Sequence, residues 1–146
     1  MGKIILHFSA LVVGVVYAPQ LHAATVMVDA TSDDPVGQSL VYQLKDQINR
    51  SSMYKLVYSE NDAGFVIHIV TIKESDGNQT AYSAVLSMPQ LSKKGFNYYI
   101  TNQVGFCGSS VTESCASRIL STFDQPMTEV ITGISEALKK NSTPAK

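Results

Sequence analysis

The chain has 146 residues, of which 45% are hydrophobic, 16% charged and 8% aromatic, the composition of a folded globular domain and not of a disordered or collagen-like chain. Eleven basic against twelve acidic side chains give a formal charge of -1. That balance lacks the electrostatic footprint by which proteins recognise nucleic acid or anionic bilayers, so neither is an expected partner.

Residues 1–23 read as a secretory signal peptide. Lys3 supplies a positive start, and Ile4 to Tyr17 is apolar except at His7, Ser9 and Gly14. This run is shorter than the roughly 20 residues of a membrane-spanning helix, and small residues follow it. Cleavage is expected after Ala23, with Leu21 and Ala23 at the positions the peptidase inspects; the alternative is an uncleaved amino-terminal anchor. No Cys lies near the site to carry a lipid, so no stable membrane span is expected after cleavage. The mature chain then holds one histidine, His68, and one imidazole cannot build a multi-histidine zinc site.

Residues 24–141 read as one α+β domain. Thr25 to Ala30 is a short apolar strand. Asp34 is an N-cap with Pro35 at the first helical position, and Val36, Leu40, Val41, Leu44 and Ile48 recur at helical spacing, which predicts a helix over 35–50. Met53 to Tyr58 is a second strand, parallel to the first through a right-handed crossover. After the turn cluster Glu60 to Gly64, the β-branched run Phe65 to Ile72 predicts a central strand covered on both faces. Asp76-Gly77 marks a hairpin leading into Thr80 to Met88, which Pro89 ends. In the next strand Phe96, Tyr98, Ile100, Asn102, Val104 and Phe106 alternate with Asn97, Tyr99, Thr101, Gln103 and Gly105, predicting one apolar and one polar face.

The carboxyl third is helical. Ser110-Val111-Thr112-Glu113 has the form of a capping box, and Val111, Cys115, Ile119 and Phe123 follow on one side. Pro126 is expected to kink or split the helix, with Asp124 as a new cap and a second stripe of Met127, Val130, Ile131, Ile134 and Leu138. Ser142 to Lys146 is expected to be a disordered tail. The order β-α-β-β-β-β-α predicts a single mixed five-stranded sheet with its helices packed on one face.

Two cysteines eight residues apart in an exported chain predict a disulfide between Cys107 and Cys115, tying the last strand to the helix after it. A redox pair would want a C-x-x-C arrangement, which is missing.

Chemical candidates are sparse. His68, the one imidazole of the expected mature chain, lies on the same side of its strand as Val66, Val70 and Ile72. No acid or nucleophile stands at a known offset from it, so an imidazole satisfied by a neighbouring strand, or on a helix-free side of the sheet, accounts for it. Asp29, Asp33 and Asp34 gather at a strand-to-helix turn, but capping explains them, the calcium-loop pattern is absent, and no metal or cofactor is expected. Gly37 is the sole glycine of that turn and no Lys follows it, unlike a phosphate loop. Ser52-Met53-Tyr54-Lys55 matches S-x-x-K, yet Ser52 follows a predicted helix and Lys55 lies on a strand. Gly105 to Ser110 lacks the G-x-S-x-G elbow. Asn49, Asn78 and Asn141 open glycosylation sequons, relevant only on a eukaryotic secretory route. Asn97, Tyr99, Thr101 and Gln103, with Tyr54, Tyr58 and Tyr82 as aromatic neighbours, form a candidate recognition surface, or simply a solvated sheet face.

Val26-Met27-Val28, Asp34-Pro35-Val36-Gly37 opening a helix, Tyr54-Lys55-Leu56-Val57, and Asp62-Ala63-Gly64-Phe65-Val66-Ile67 together resemble the opening of the amino-terminal domain of TolB and of the related envelope modules LpoB and CsgG. The resemblance covers residues 25–74. It implies a periplasmic, non-enzymatic module that binds other proteins. Three functions are therefore expected in order: a soluble periplasmic or secreted module binding another envelope or secreted protein; a secreted inhibitor or immunity protein whose 107–115 loop wedges into a hydrolase; and a small hydrolase using His68.

Overall fold

Valines at alternate positions carry the first strand, β1 (Ala24–Ser32), in the computed structural model, which describes residues 23–75, 77–90 and 97–141. The expected signal segment up to residue 22 and the expected tail at 142–146 lie outside the described residues. Val26 and Val28 are buried beneath a helix, α1 (Pro35–Arg50), whose Val36, Leu40, Val41, Leu44 and Ile48 form the inward stripe the spacing predicts. The strands β2 (Tyr54–Val57), β3 (Phe65–Lys73), β4 (Gln79–Pro89) and β5 (Asn97–Gly108) follow, then a long helix, α2 (Thr112–Asn141). The sheet order is β2-β1-β3-β4-β5, with β1 parallel to both neighbours and the β3-β4 and β4-β5 pairs antiparallel. A 3-10 turn, Glu60–Asp62, lies on the path from β2 past β1 to β3, where Gly64 N donates to Thr25 O at 3.0 Å. At the β3-β4 hairpin Gly77 takes φ 71°, the left-handed conformation that favours glycine.

Both helices pack on one face, where Phe65, Ile67 and Ile69 of β3 and Tyr82, Ala84 and Leu86 of β4 meet Ile119, Phe123 and Met127 of α2. The expectation that β3 is covered on both faces is corrected here. β3 is central, yet Val70 is 47% and Ile72 67% exposed, because two helices suffice to cover only one side. An unbroken β-branched run reads as two-sided burial in sequence; here the second side is buried at Val66 and open at Val70 and Ile72.

α2 is one helix through Pro126. Proline removes one backbone donor, and buried Phe123 and Met127 on either side hold the helix to the sheet across that point. The helix begins after Val111, whose carbonyl accepts from Cys115 N at 3.0 Å, one position later than the Ser110 cap expected. Its second apolar stripe runs past the sheet, leaving Ile131, Ile134 and Leu138 40%, 48% and 65% exposed.

The turn from β1 into α1 contains a buried carboxylate. Asp34, 2% exposed, caps α1 by accepting from Gly37 N at 2.7 Å. Its other oxygen accepts from the hydroxyls of Thr71 on β3 at 3.1 Å and Thr80 on β4 at 2.9 Å, and Ser32 Oγ lies 2.8 Å from Thr71 Oγ1. A Cβ on Gly37 would stand 2.1 Å from Thr71 Oγ1, so only glycine lets the helix approach this closely. Burial alone raises the carboxyl pKa, but donors from Gly37, Thr80 and Thr71 outweigh it, and the net shift is downward from 3.8.

Two stability predictions follow from these ties. Asp34→Ala removes a cap and the charged acceptor of the Thr71 and Thr80 hydroxyls, and should cost about 2–4 kcal/mol in urea unfolding. Because the folded pKa lies below the ordinary value, Asp34's ionisation contributes fully above pH 3.8 and is lost as pH falls through the folded value; the Asp34→Ala variant should show a shallower acid limb. The predicted disulfide joins Cys107 and Cys115, both 1% exposed and 6.1 Å apart at Cα. Replacing both by Ala should lower stability by about 2.5 kcal/mol, the chain-entropy value for so short a loop, measured by the same unfolding.

Candidate functional site on the uncovered sheet face

Strand register decides which side chains reach the uncovered face. β3 sends Val66, His68, Val70 and Ile72 there, opposite Ser87, Val85, Ser83 and Ala81 of β4. β5 continues these rungs with Tyr99, Asn102, Val104 and Phe106, while Met27, Asp29 and Thr31 of β1 flank β3 on its other side.

One part of the face is polar. His68 Nδ1 stands 3.1 Å from Asp29 Oδ2, and His68 Nε2 lies 3.1 Å from Ser87 Oγ and 3.3 Å from Asn97 Nδ2. With Nδ1–H donating to the Asp29 carboxylate, Nε2 accepts from the Ser87 hydroxyl and the Asn97 amide. The imidazole thus joins residues of all four longer strands. It is satisfied by neighbouring strands on the helix-free side, as expected, but Asp29 and Ser87 are partners that sequence reasoning missed. They sit 39 and 19 residues away, and only sheet register brings them together.

Asp29, His68 and Ser87 are the residue types of an acyl-transfer triad, which geometry and role must identify. Ser87 is 3% exposed, and its hydroxyl also lies 3.4 Å from Val66 O. Ser87 stands near the end of β4, beside the register shift with β5, and its near-complete burial gives a substrate carbonyl no open approach to the hydroxyl.

The other part of the face is apolar. Val70, Ser83 and Val104 form one rung, and Ile72, Ala81 and Phe106 the next. Val104 and Phe106 are 68% and 64% exposed, comparable to Ile72.

The expected recognition surface of Asn97, Tyr99, Thr101 and Gln103 does not form one face. Asn97 and Tyr99 lie on the uncovered side, Tyr99 donating to Asn102 Oδ1 at 2.9 Å. Thr101 pairs with Leu86 and Gln103 with Ala84, on the helix side, where Gln103 Nε2 donates to Tyr82 Oη at 3.0 Å. The cause is a register shift between Leu86 and Ser87, which leaves Ile100 as an extra residue on β5 and inverts the alternation beyond it. Val104 and Phe106 therefore face out, and the residues read as the polar face turn in.

The remaining candidates are dispersed. Asp34 belongs to the α1 cap, away from Asp29, and Asp33 is exposed. Ser52 lies in the loop after α1 and Lys55 on β2, so their spacing makes no helical pair. Tyr54 donates to Asp124 of α2; burial first, then that bond and charge, push its phenol pKa far up. Tyr82 is buried and Tyr58 exposed. Between the two buried sulfurs, the 107–115 segment offers an exposed tip of Ser109, Ser110 and Val111. An apolar cavity of about 630 Å³ opens between the sheet's end and the distal half of α2, lined by Ala24, Phe65, Met88, Tyr98, Ile131 and Ile134. None of the His68 cluster lines it. No described helix is long and apolar enough to cross a membrane.

No protein-family model and no curated protein sequence matches the chain. Among solved structures it is similar to TolB from Acinetobacter baumannii, with a TM-score of 0.54 at 12% identity over 74% of this chain and 29% of that one. A variant PelC dodecamer from Paraburkholderia phytofirmans matches with a TM-score of 0.42 at 14% identity, over 69% of this chain and 86% of that one. The chain thus spans under a third of the TolB it matches, and what it shares with TolB, as residues 25–74 led one to expect, is the fold.

Proposed function

We propose that the protein is an extracytoplasmic, non-enzymatic module that binds another envelope or secreted protein through the uncovered face of its sheet. The observation that carries this reading is the pair of apolar rungs, Val70–Ser83–Val104 and Ile72–Ala81–Phe106, lying side by side in water on a face no described element covers. Contiguous apolar surface of this kind is characteristic of a binding site, whereas single exposed apolar residues are ordinary. A disulfide suits an oxidising compartment, the amino-terminal segment has the form of a signal peptide, and the TolB-like fold suits an envelope module.

The test is a photo-crosslinking residue at Ile72, with Gln38 on α1 as control. A discrete adduct with one extracytoplasmic protein is expected from position 72 alone. Val70→Lys, which would bury a charge in the contact, should reduce that adduct by at least about tenfold. No adduct at 72, or the same products from both positions, would defeat the proposal.

The Asp29–His68–Ser87 geometry favours one second reading, a serine hydrolase. On our reading the cluster is a cross-strand tie. A serine-directed fluorophosphonate should therefore leave the protein unlabelled, and Ser87→Ala should lower stability by about 1 kcal/mol without affecting the Ile72 adduct. Labelling that disappears in Ser87→Ala would instead establish the hydrolase.

A further inference from the structure

The two edges of the sheet are treated differently. β2, at one edge, has four residues and includes Lys55. β5, at the other, has twelve, and from Asn97 to Gly108 contains no charged residue and no proline. Exposed edges are normally blunted by shortness, lysine or proline, since their free N–H and C=O groups template further pairing.

The ladder phase shows which backbone groups of β5 point away from β4. Ser109 N donates to Asn78 O at 2.9 Å, continuing the β4-β5 register, and Glu74 N donates to Gln79 O at 3.1 Å, continuing that of β3-β4. Both give the same alternation. Gly105, Gln103 and Thr101 exchange bonds with β4, whereas the backbone groups of Asn102, Val104 and Phe106 point away from the sheet. The strand is held at its end by the Cys107–Cys115 disulfide to α2, so its edge is pre-formed.

We infer that the β5 edge pairs antiparallel with β5 of a second copy about a two-fold axis near Val104, joining the two five-stranded sheets edge to edge. Two-fold antiparallel pairing sets a strand against itself, where any charge near the axis meets its like. β5 is free of charge along its whole length and so is complementary to itself, while a charged partner strand would find no counter-charge on it. The axis also brings Val104 and Phe106 of both copies onto one face, as β-branched and aromatic cross-strand neighbours. The pairing shares Val104 and Phe106 with the recognition face but leaves Val70 and Ile72, two strands in, open, so the oligomer mass and the Ile72 adduct test the two separately.

Sedimentation equilibrium of the purified chain over about 1–100 µM tests it. A species of twice the monomer mass is expected. Val104→Pro removes an outward N–H and leaves the β4 ladder intact, and Val104→Lys sets like charges at the axis; each should weaken the dimer by at least about tenfold. Val104 is 68% exposed, so an unchanged near-ultraviolet circular dichroism spectrum is expected to confirm that each variant is folded. Mixing Val104→Lys with Val104→Glu should restore the dimer. A monomer at every concentration, a dimer indifferent to Val104→Pro, open-ended larger assemblies, or no restoration on mixing each overturns the inference.

Discussion

A single carboxylate, Asp34, ties α1 to two strands of the sheet at the point where β1, β3 and β4 run side by side. It ends β1, caps α1 through Gly37 N, and accepts from Thr71 and Thr80, which lie on two further strands. Ionised and almost fully buried, it is stable only while all these donors are in place, so it specifies geometry as well as adding energy. Gly37 is part of the same constraint, because the donors crowd the space a side chain would need. The cluster locks the helix to the sheet at one end. Tyr54, donating to Asp124, joins β2 to α2.

Both helices lie on one face, and on the other no described element covers Val70 and Ile72. The uncovered face is divided by chemistry: a hydrogen-bonded patch around His68, and two apolar rungs farther along the same strands. The polar patch satisfies its own groups and ties four strands together. The apolar rungs gain nothing from water, and they supply the strongest reason to regard this surface as a place where another protein sits. The bulge at Ile100 is what turns Val104 and Phe106 outward. A local irregularity in one strand thereby enlarges the apolar surface.

Much of the fold was legible. The helix over 35–50 is predicted and observed with the same bounds, because Asp34-Pro35 is a strong start signal and the apolar spacing runs unbroken to Ile48. The order of elements along the chain, the parallel first pair, the one-sided helices and the disulfide were also readable from local pattern and spacing. The faces of β5 were not. Alternation predicts facing only while the register is continuous, and neither Ile100 nor its neighbours carry a glycine or proline that would announce a bulge. Likewise Val70 and Ile72 look like core residues, since hydrophobicity records what a surface would bury and not whether anything arrives to bury it.

The sequence by itself determined the local elements, the Asp34 cap of α1 and the staple between Cys107 and Cys115, because each depends on residues within about a dozen positions of one another and on torsional preferences that travel with the residue. Only the tertiary structure decided that His68 meets Asp29 and Ser87, that Asp34 meets Thr71 and Thr80, and which side of β5 looks outward. Those outcomes are matters of register between distant strands, where a shift of one residue exchanges inside for outside while the local pattern stays the same.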